Sequence, residues 1–155
     1  MILVSSCLAG LEVRYDGGHC LNDKVHRLIA EGKAIAVCPE VLGGLLIPRR
    51  PAEIVNGDGE AVLDGKARVI DISGSDVTDS FIGGAYDTLE KAKALKATLV
   101  VLKENSPSCG STMIYNGEFI GKKIIGNGVT AALLGRNNIQ VISDEQFILL
   151  DFENQ

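Results

Sequence analysis

Cys7, Cys38 and Cys109 are the residues of this chain best suited to chemistry, and each lies just past a short apolar run. The runs are Ile2-Leu3-Val4-Ser5-Ser6-Cys7, Ala34-Ile35-Ala36-Val37-Cys38, and Leu99-Val100-Val101-Leu102-Lys103 leading to Ser108-Cys109. Parallel strands of one sheet would bring all three thiols to its carboxyl edge, where open α/β sheets bind ligands. Soft sulfur donors select iron–sulfur clusters or zinc, and three of them leave one metal position open for a substrate. The separations match no Cys-x-x-Cys zinc pattern, so on spacing alone buried structural thiols compete with a metal site. The flanking residues favour a site. Cys38 is followed by Pro39 and Glu40, and Cys109 lies within Asn105-Ser106-Pro107-Ser108-Cys109-Gly110-Ser111, a stretch too rich in polar and turn-forming residues for a core segment.

Glu40, two residues after Cys38, is placed to act as general acid or base beside an open metal position; the competing reading is a solvated loop carboxylate. Ser106 and Ser108 offer hydroxyls to a water or substrate, although serine serves turns of this kind structurally as well. Arg14-Tyr15-Asp16-Gly17-Gly18-His19 packs a cation, a phenol, a carboxylate and an imidazole around a glycine pair. A surface Arg–Asp pair explains the segment equally well, but its place soon after Cys7 makes Arg14, Asp16 and His19 candidates for a substrate lid. His26 falls inside a helix-like run and reads as a solvated helix residue. Gly126-Asn127-Gly128-Val129-Thr130 precedes a helix and could cradle an anion through Gly128 and Thr130. It lacks the Walker ending and a complete G-x-G-x-x-G, so ordinary capping is the competing reading.

These residues need elements to hold them, and the apolar periodicity alternates between strand-like and helix-like runs. Strand one lies in the run that begins at Ile2 and leads to Cys7, a polar loop runs from Gly10 to Asn22, and a short helix covers Asp23 to Glu31. Strand two is Ala34 to Val37. Pro39, Pro48 and Pro51 predict an irregular segment. Ala52–Gly57 and Arg68–Ile72 predict a small antiparallel pair joined through Gly57-Asp58-Gly59. From Asp76 a long helix shows Val77, Phe81, Ala85, Leu89, Ala92 and Leu95 on one face and leads into the strand Thr98–Leu102. Asn116-Gly117 predicts a hairpin between Met113–Tyr115 and Phe119–Ile120. A helix from Val129, a strand Ile139–Ile142 and a closing helix Asp144–Phe152 complete the expectation. The fold class is α/β: a single three-layer, Rossmann-like domain over 1–155, with a mostly parallel sheet and small antiparallel hairpin additions.

Composition agrees with an ordinary globular domain. At 155 residues the chain can bury a real core without staples. Glycine is the deviation, with 18 residues gathered largely in Gly17-Gly18, Gly43-Gly44, Gly83-Gly84 and Gly126-Asn127-Gly128, which predicts tight, close-approach loops. A net charge of −5 argues against a broad grip on a nucleic-acid duplex. No apolar run approaches the ~18 residues of a membrane span, and the amino terminus has no positive leader region. The expected location is the cytoplasm, where four cysteines point to metal binding, chemistry or burial rather than to a disulfide framework.

Seven blocks, taken in order, carry a more specific resemblance. They are Val4-Ser5-Ser6-Cys7-Leu8-Ala9-Gly10, Val13-Arg14-Tyr15-Asp16-Gly17-Gly18-His19, Cys38-Pro39-Glu40-Val41-Leu42-Gly43-Gly44, Pro51-Ala52-Glu53-Ile54, Asp76-Val77-Thr78, Lys103-Glu104-Asn105-Ser106-Pro107-Ser108-Cys109-Gly110 and Gly126-Asn127-Gly128-Val129-Thr130-Ala131-Ala132-Leu133-Leu134. Together they resemble the thiouracil desulfidase family over nearly the whole chain. The resemblance implies a [4Fe-4S] cluster held by three cysteines, here Cys7, Cys38 and Cys109, with one iron free of protein ligands. It implies non-redox conversion of C=S to C=O in a thiolated pyrimidine base or nucleoside, with release of sulfide. Glu40 then matches the acid/base carboxylate and Ser106 the serine that helps position the water; Ser5, Arg14, Asp16, His19, Ser108, Gly128 and Thr130 are the candidates for substrate contact. Cys20 departs from the pattern, which usually has a basic residue there; a fourth thiolate would close the open iron, but Cys20 lies well along a loop rather than at a strand end. A zinc-bound or metal-free nucleotide-binding module, and a thiol enzyme using Cys109 with His19 as base, are the alternatives.

Overall fold

Four short apolar runs pair side by side because each is too apolar to expose either face. In the computed structural model, which describes residues 1–10, 16 and 22–149, β1 (Ile2–Ser5), β2 (Ala34–Val37), β5 (Leu99–Leu102) and β8 (Val141–Ser143) form a parallel sheet in the order β2-β1-β5-β8. Strand side chains alternate between two buried clusters. Leu3, Val100 and Leu102 join Phe81, Ala85, Leu89 and Leu134 on one face. Val4, Leu99 and Val101 join Val25, Leu28 and Phe147 on the other. A parallel sheet covered on both faces accounts for strands that read as continuous apolar runs rather than alternating ones.

The helices are α1 (Asp23–Ala30), α2 (Pro39–Leu42), α3 (Gly59–Leu63), α4 (Thr78–Ala94), α5 (Val129–Arg136) and α6 (Asp144–Ile148), with α2 packed on α4 and α3 on α5. Two antiparallel pairs are added to this frame: β3 (Ala52–Val55) with β4 (Arg68–Asp71), and β6 (Met113–Tyr115) with β7 (Lys123–Ile125). The α/β class with a mostly parallel sheet is therefore as expected, and no helix among the described residues is long and apolar enough to cross a membrane.

Several boundaries differ for local physical reasons. Pro39 opens a helix instead of an irregular segment, since a helix's first turn needs no proline N–H. Strands β3 and β4 do pair, but Gly57-Asp58-Gly59 is not their turn. The Asp58 carboxylate accepts the Ala61 amide at 3.0 Å and caps α3, which makes the connection. The second hairpin returns at Lys123–Ile125 rather than at Phe119–Ile120, leaving a longer loop after Tyr115. The last strand begins at Val141, and α6 opens on a capping box between Ser143 and Gln146. The expected end of that helix at Phe152 lies outside the described residues.

Glycine serves close approach in the layer under β2. A Cβ on Gly43 would sit 2.0 Å from the Ser80 carbonyl oxygen, and one on Gly84 would sit 2.0 Å from that of Pro39. These two glycines let α2 and α4 meet backbone to backbone, which fixes the helix that follows Cys38. Helix α4 is tied to the antiparallel pair by Thr78, fully buried, whose hydroxyl oxygen accepts the Val69 N–H at 2.8 Å. Thr78→Val keeps the shape but leaves that buried N–H without an acceptor, so urea denaturation should show a loss of about 1–3 kcal/mol.

Candidate metal centre

The three described cysteines are carried by three different elements that all leave the same edge of the sheet. Cys7 lies in a single 3-10 turn, Ser6–Ala9, that follows β1 directly and ends at Gly10 in the left-handed conformation (φ 87°). Cys38 is the residue between β2 and the first turn of α2. Cys109 lies in the long segment after β5. All three line one cavity of about 780 Å³, with Ser5, Glu40, Arg49, Glu53 and Ser106 among its other walls. The predicted convergence of thiols at the carboxyl edge is what the fold produces.

Their electrostatics suit a cationic guest. Burial pushes the Cys109 thiol well above its ordinary value, and the negative charges of Glu40, Cys38 and Cys7 act in the same direction. Burial also raises Cys38, as does Glu40, while the amides of Val41 and Glu40 and the Arg49 guanidinium oppose the shift. Thiols held towards their neutral form by burial, as Cys109 and Cys38 are, release their protons when a metal supplies the compensating charge. Among the described residues, no group of three His, Cys, Asp or Glu side chains is already drawn together as a metal site. Three soft thiol donors lining one cavity fit a thiolate-held metal group by their chemistry.

Glu40 is fixed at both ends. One oxygen, Oε2, accepts Nε and Nη2 of Arg49 at 3.1 and 2.6 Å, and the other, Oε1, accepts the Ser106 hydroxyl at 3.0 Å. Ser106 Oγ in turn accepts the amides of Ser108 and Cys109 at 3.0 and 3.2 Å. With two N–H groups on its lone pairs, the serine can only donate towards Glu40. The acid is thereby linked through one hydroxyl to the backbone of Cys109, and its free acceptor capacity is left on Oε1.

Two further anchors hold the Cys109 segment. Glu104 is buried, and its Oε1 accepts the amides of Asn105, Ser111, Thr112 and Met113, while Oε2 accepts the Ser111 hydroxyl. Burial alone would raise this carboxyl, yet the amides of Thr112 and Asn105, the Ser111 hydroxyl and the Met113 amide outweigh it and hold it below the usual carboxylate range. The second anchor is the start of α5. The amides of Gly128, Val129 and Thr130 donate to the carbonyls of Gly110, Pro107 and Ser108 at 2.7, 2.8 and 2.9 Å. A Cβ on Gly128 would lie 2.4 Å from the Ser108 carbonyl carbon and 2.7 Å from the Cys109 nitrogen.

Of the two readings open for Gly126 to Thr130, an anion cradle and ordinary capping, the observed hydrogen bonds are those of a helix start docked on its own chain. The orphan amides of the helix are already satisfied by the cysteine loop, and neither Gly128 nor Thr130 lines the cavity. Ser108 is buried and is not among the lining residues: its hydroxyl meets that of Thr130 at 2.8 Å, and its side chain also hydrogen-bonds Cys109. Ser5 does line the cavity, where its hydroxyl accepts the Lys103 amide at 3.0 Å and ties the end of β1 to the end of β5. Asp16 is exposed and is not among the lining residues. Arg14, His19 and Cys20 lie outside the described residues.

Sequence reasoning missed Arg49 as the partner of Glu40. Its only signal is an arginine pair enclosed by Pro48 and Pro51, and nothing in the spacing shows that the chain doubles back there. Glu53, Tyr115 and Phe119, also on the cavity wall, come from the added antiparallel pairs, whose position against the sheet no local pattern reveals.

Comparison with known proteins places this architecture. The chain is 56% identical over 146 residues to the YbbK protein of Bacillus subtilis (strain 168), spanning 94% of this chain and 97% of that one. A solved structure described as a [4Fe-4S]-dependent thiouracil desulfidase, TudS, is similar with a TM-score of 0.84 at 46% identity, covering 96% of this chain and 93% of that one. The family model for 2-thiouracil desulfurase matches residues 2–146, and the chain belongs to that family.

Proposed function

We propose that this protein is an iron–sulfur-dependent, non-redox desulfidase that converts the C=S of a thiolated pyrimidine base or nucleoside to C=O and releases sulfide. The observation that carries the reading is the meeting of Cys7, Cys38 and Cys109 in one cavity with a carboxylate, Glu40, already hydrogen-bonded to Ser106. Family membership and the likeness to a [4Fe-4S]-dependent enzyme support it. In this reading the three thiolates hold the [4Fe-4S] cluster, and the Lewis acidity of an iron without a protein ligand is what the bound cluster supplies to the thiocarbonyl sulfur.

The chain's own groups do the proton work. Glu40 takes one proton from a water at its free Oε1 position as that water attacks the carbon of the thiocarbonyl, and passes it to the sulfur. As the C–S bond breaks, the remaining hydroxyl proton goes to Glu40, so that C=S and H2O give C=O, HS⁻ and H⁺. Arg49 keeps the other oxygen occupied, so the proton is exchanged on the side facing Ser106 and the cysteines. One water is consumed, its oxygen stays on carbon, and the sulfur departs as sulfide with both electrons of its bond. No oxidant or reductant is required. The rival role of Cys109 as a nucleophile fits poorly, because an active thiol needs its pKa lowered and burial pushes this one up. Described cysteines that form no disulfide suit the reducing cytoplasm.

Anaerobic reconstitution with iron and sulfide, followed by iron analysis, visible spectroscopy and sulfide release from 2-thiouracil, tests the proposal. Cys7→Ala, Cys38→Ala and Cys109→Ala should each abolish cluster loading. Glu40→Gln should load normally yet lose about 10²–10⁴-fold in turnover, the usual worth of a general acid/base. A colourless wild type that takes up no iron would sink the cluster reading, and full activity in Glu40→Gln would remove its acid/base role. Arg49→Ala should retain iron and lose about 10²-fold in kcat through misplacement of Glu40. Gly128→Ala should overpack the cysteine loop, costing about 1–3 kcal/mol in denaturant and lowering the iron bound per chain.

A further inference from the structure

Glu53 is a buried carboxylate that the chemistry above does not use. It sits on β3, is 8% exposed and lines the cavity. Its Oε1 accepts the amides of Gly117 at 2.9 Å and Phe119 at 3.4 Å, which docks the loop after β6 onto β3. No hydrogen bond or ion pair among the described residues reaches Oε2. That oxygen is also not among the enclosed polar atoms lacking a partner, which among the described residues are Asn127 Oδ1 alone. It is therefore open, and of the two spaces Glu53 borders, the cavity has room for a ligand while the cleft beside Ile54 and Ile114 does not. A carboxylate oxygen kept inside a half-apolar cavity with no protein donor has acceptor capacity to spare and a desolvation cost to recover.

The missing partner is an N–H donor. A thiolated pyrimidine carries a ring N–H next to its thiocarbonyl carbon, whereas its carbonyl and thiocarbonyl are acceptors that a carboxylate would repel. We infer that Glu53 is a specificity-determining residue whose free oxygen accepts a ring N–H of the thiolated pyrimidine, turning the thiocarbonyl towards the cysteines. The inference rests on the desulfidase reading for the identity of the ligand. The same carboxylate positions Phe119 through its amide, so one side chain both shapes the wall opposite the sheet and reads the base that lies against it.

Glu53→Gln separates these two tasks. The amide oxygen of glutamine can still accept Gly117 and Phe119, while the atom facing the cavity changes from an acceptor to an NH2 donor. Calorimetric titration of the cluster-loaded protein with uracil and with 1,3-dimethyluracil, which has no N–H, reads the hydrogen bond directly. Wild type should prefer uracil by about tenfold to a hundredfold, because a site built around a ligand N–H rejects the analogue that lacks it. Glu53→Gln should keep its iron content and melting temperature and lose that preference. Equal affinity of wild type for the two ligands, affinity for neither, or a Glu53→Gln variant with wild-type preference would overturn the inference; the wild-type comparison stands even if the variant folds poorly. Sulfide release from 2-thiouracil by the same preparation keeps the two readings apart. Release without preference for the N–H ligand sinks the role of Glu53 alone, and preference without release sinks the desulfuration alone.

Discussion

The segment from Lys103 to Thr112 must be polar, because it borders the cavity, and rigid, because it carries Cys109. A loop cannot gain rigidity from regular hydrogen bonding with itself, so this one borrows it from the start of α5. The amides of Gly128, Val129 and Thr130, which a helix otherwise leaves to a capping side chain, water or a ligand, are spent on the carbonyls of Gly110, Pro107 and Ser108. The contact is possible only because Gly128 has no side chain to hold the two backbones apart. Once that docking is made, the amides of Ser108 and Cys109 are fixed in space, Ser106 is fixed by them, and Glu40 by Ser106. The position of the acid is thus inherited from a backbone contact that involves neither the acid nor the cysteines' side chains.

Glu104, Glu40 and Glu53 are three of the carboxylates of low exposure around this arrangement, and the number of acceptor sites each has left separates their roles. A carboxylate offers about four lone-pair sites. Those of Glu104 are taken by four amides and a hydroxyl, which leaves it a strut whose removal would free the loop. Glu40 has its Oε2 saturated by arginine and its Oε1 half used, so it can exchange a proton on one side only. Glu53 keeps a whole oxygen in reserve. Charge burial is expensive unless compensated, and the grading from fully to half compensated follows the grading from structural to ligand-facing.

The parts legible in the sequence were those written into contiguous residues. The strands that end at Cys7, Cys38 and Cys109 were readable because a parallel strand buried on both faces leaves an unbroken apolar run. The long helix α4 was readable from its apolar face. Glycine pairs announced close approach, but they could not say to what: Gly43 and Gly84 bring two helices together, and Gly128 brings a helix to a loop. Gly126 to Thr130 left an anion cradle and ordinary capping both open for the same reason. The amino end of a helix does attract negative ends of dipoles, but here the ligands it found are carbonyls of its own chain. Arg49 and Glu53 were illegible as partners of the site because their meaning depends on the path of the chain between two prolines and on the docking of β3, which are tertiary facts.

Separating the three thiols among β1, β2 and β5 has an energetic consequence that a local Cys-x-x-Cys motif would not have. A motif of that kind can grip metal while the rest of the chain is unfolded, so binding there stabilises the native state only by the difference. Here no two of the three cysteines are neighbours in sequence, and they meet only when the parallel sheet, the turn at Cys7, the α2–α4 contact and the α5 docking are all in place. A group bound by all three therefore binds the native state alone and shifts the folding equilibrium towards it. Conversely, burial holds the thiols of Cys109 and Cys38 towards their neutral form, so folding by itself does not have to bury two thiolates.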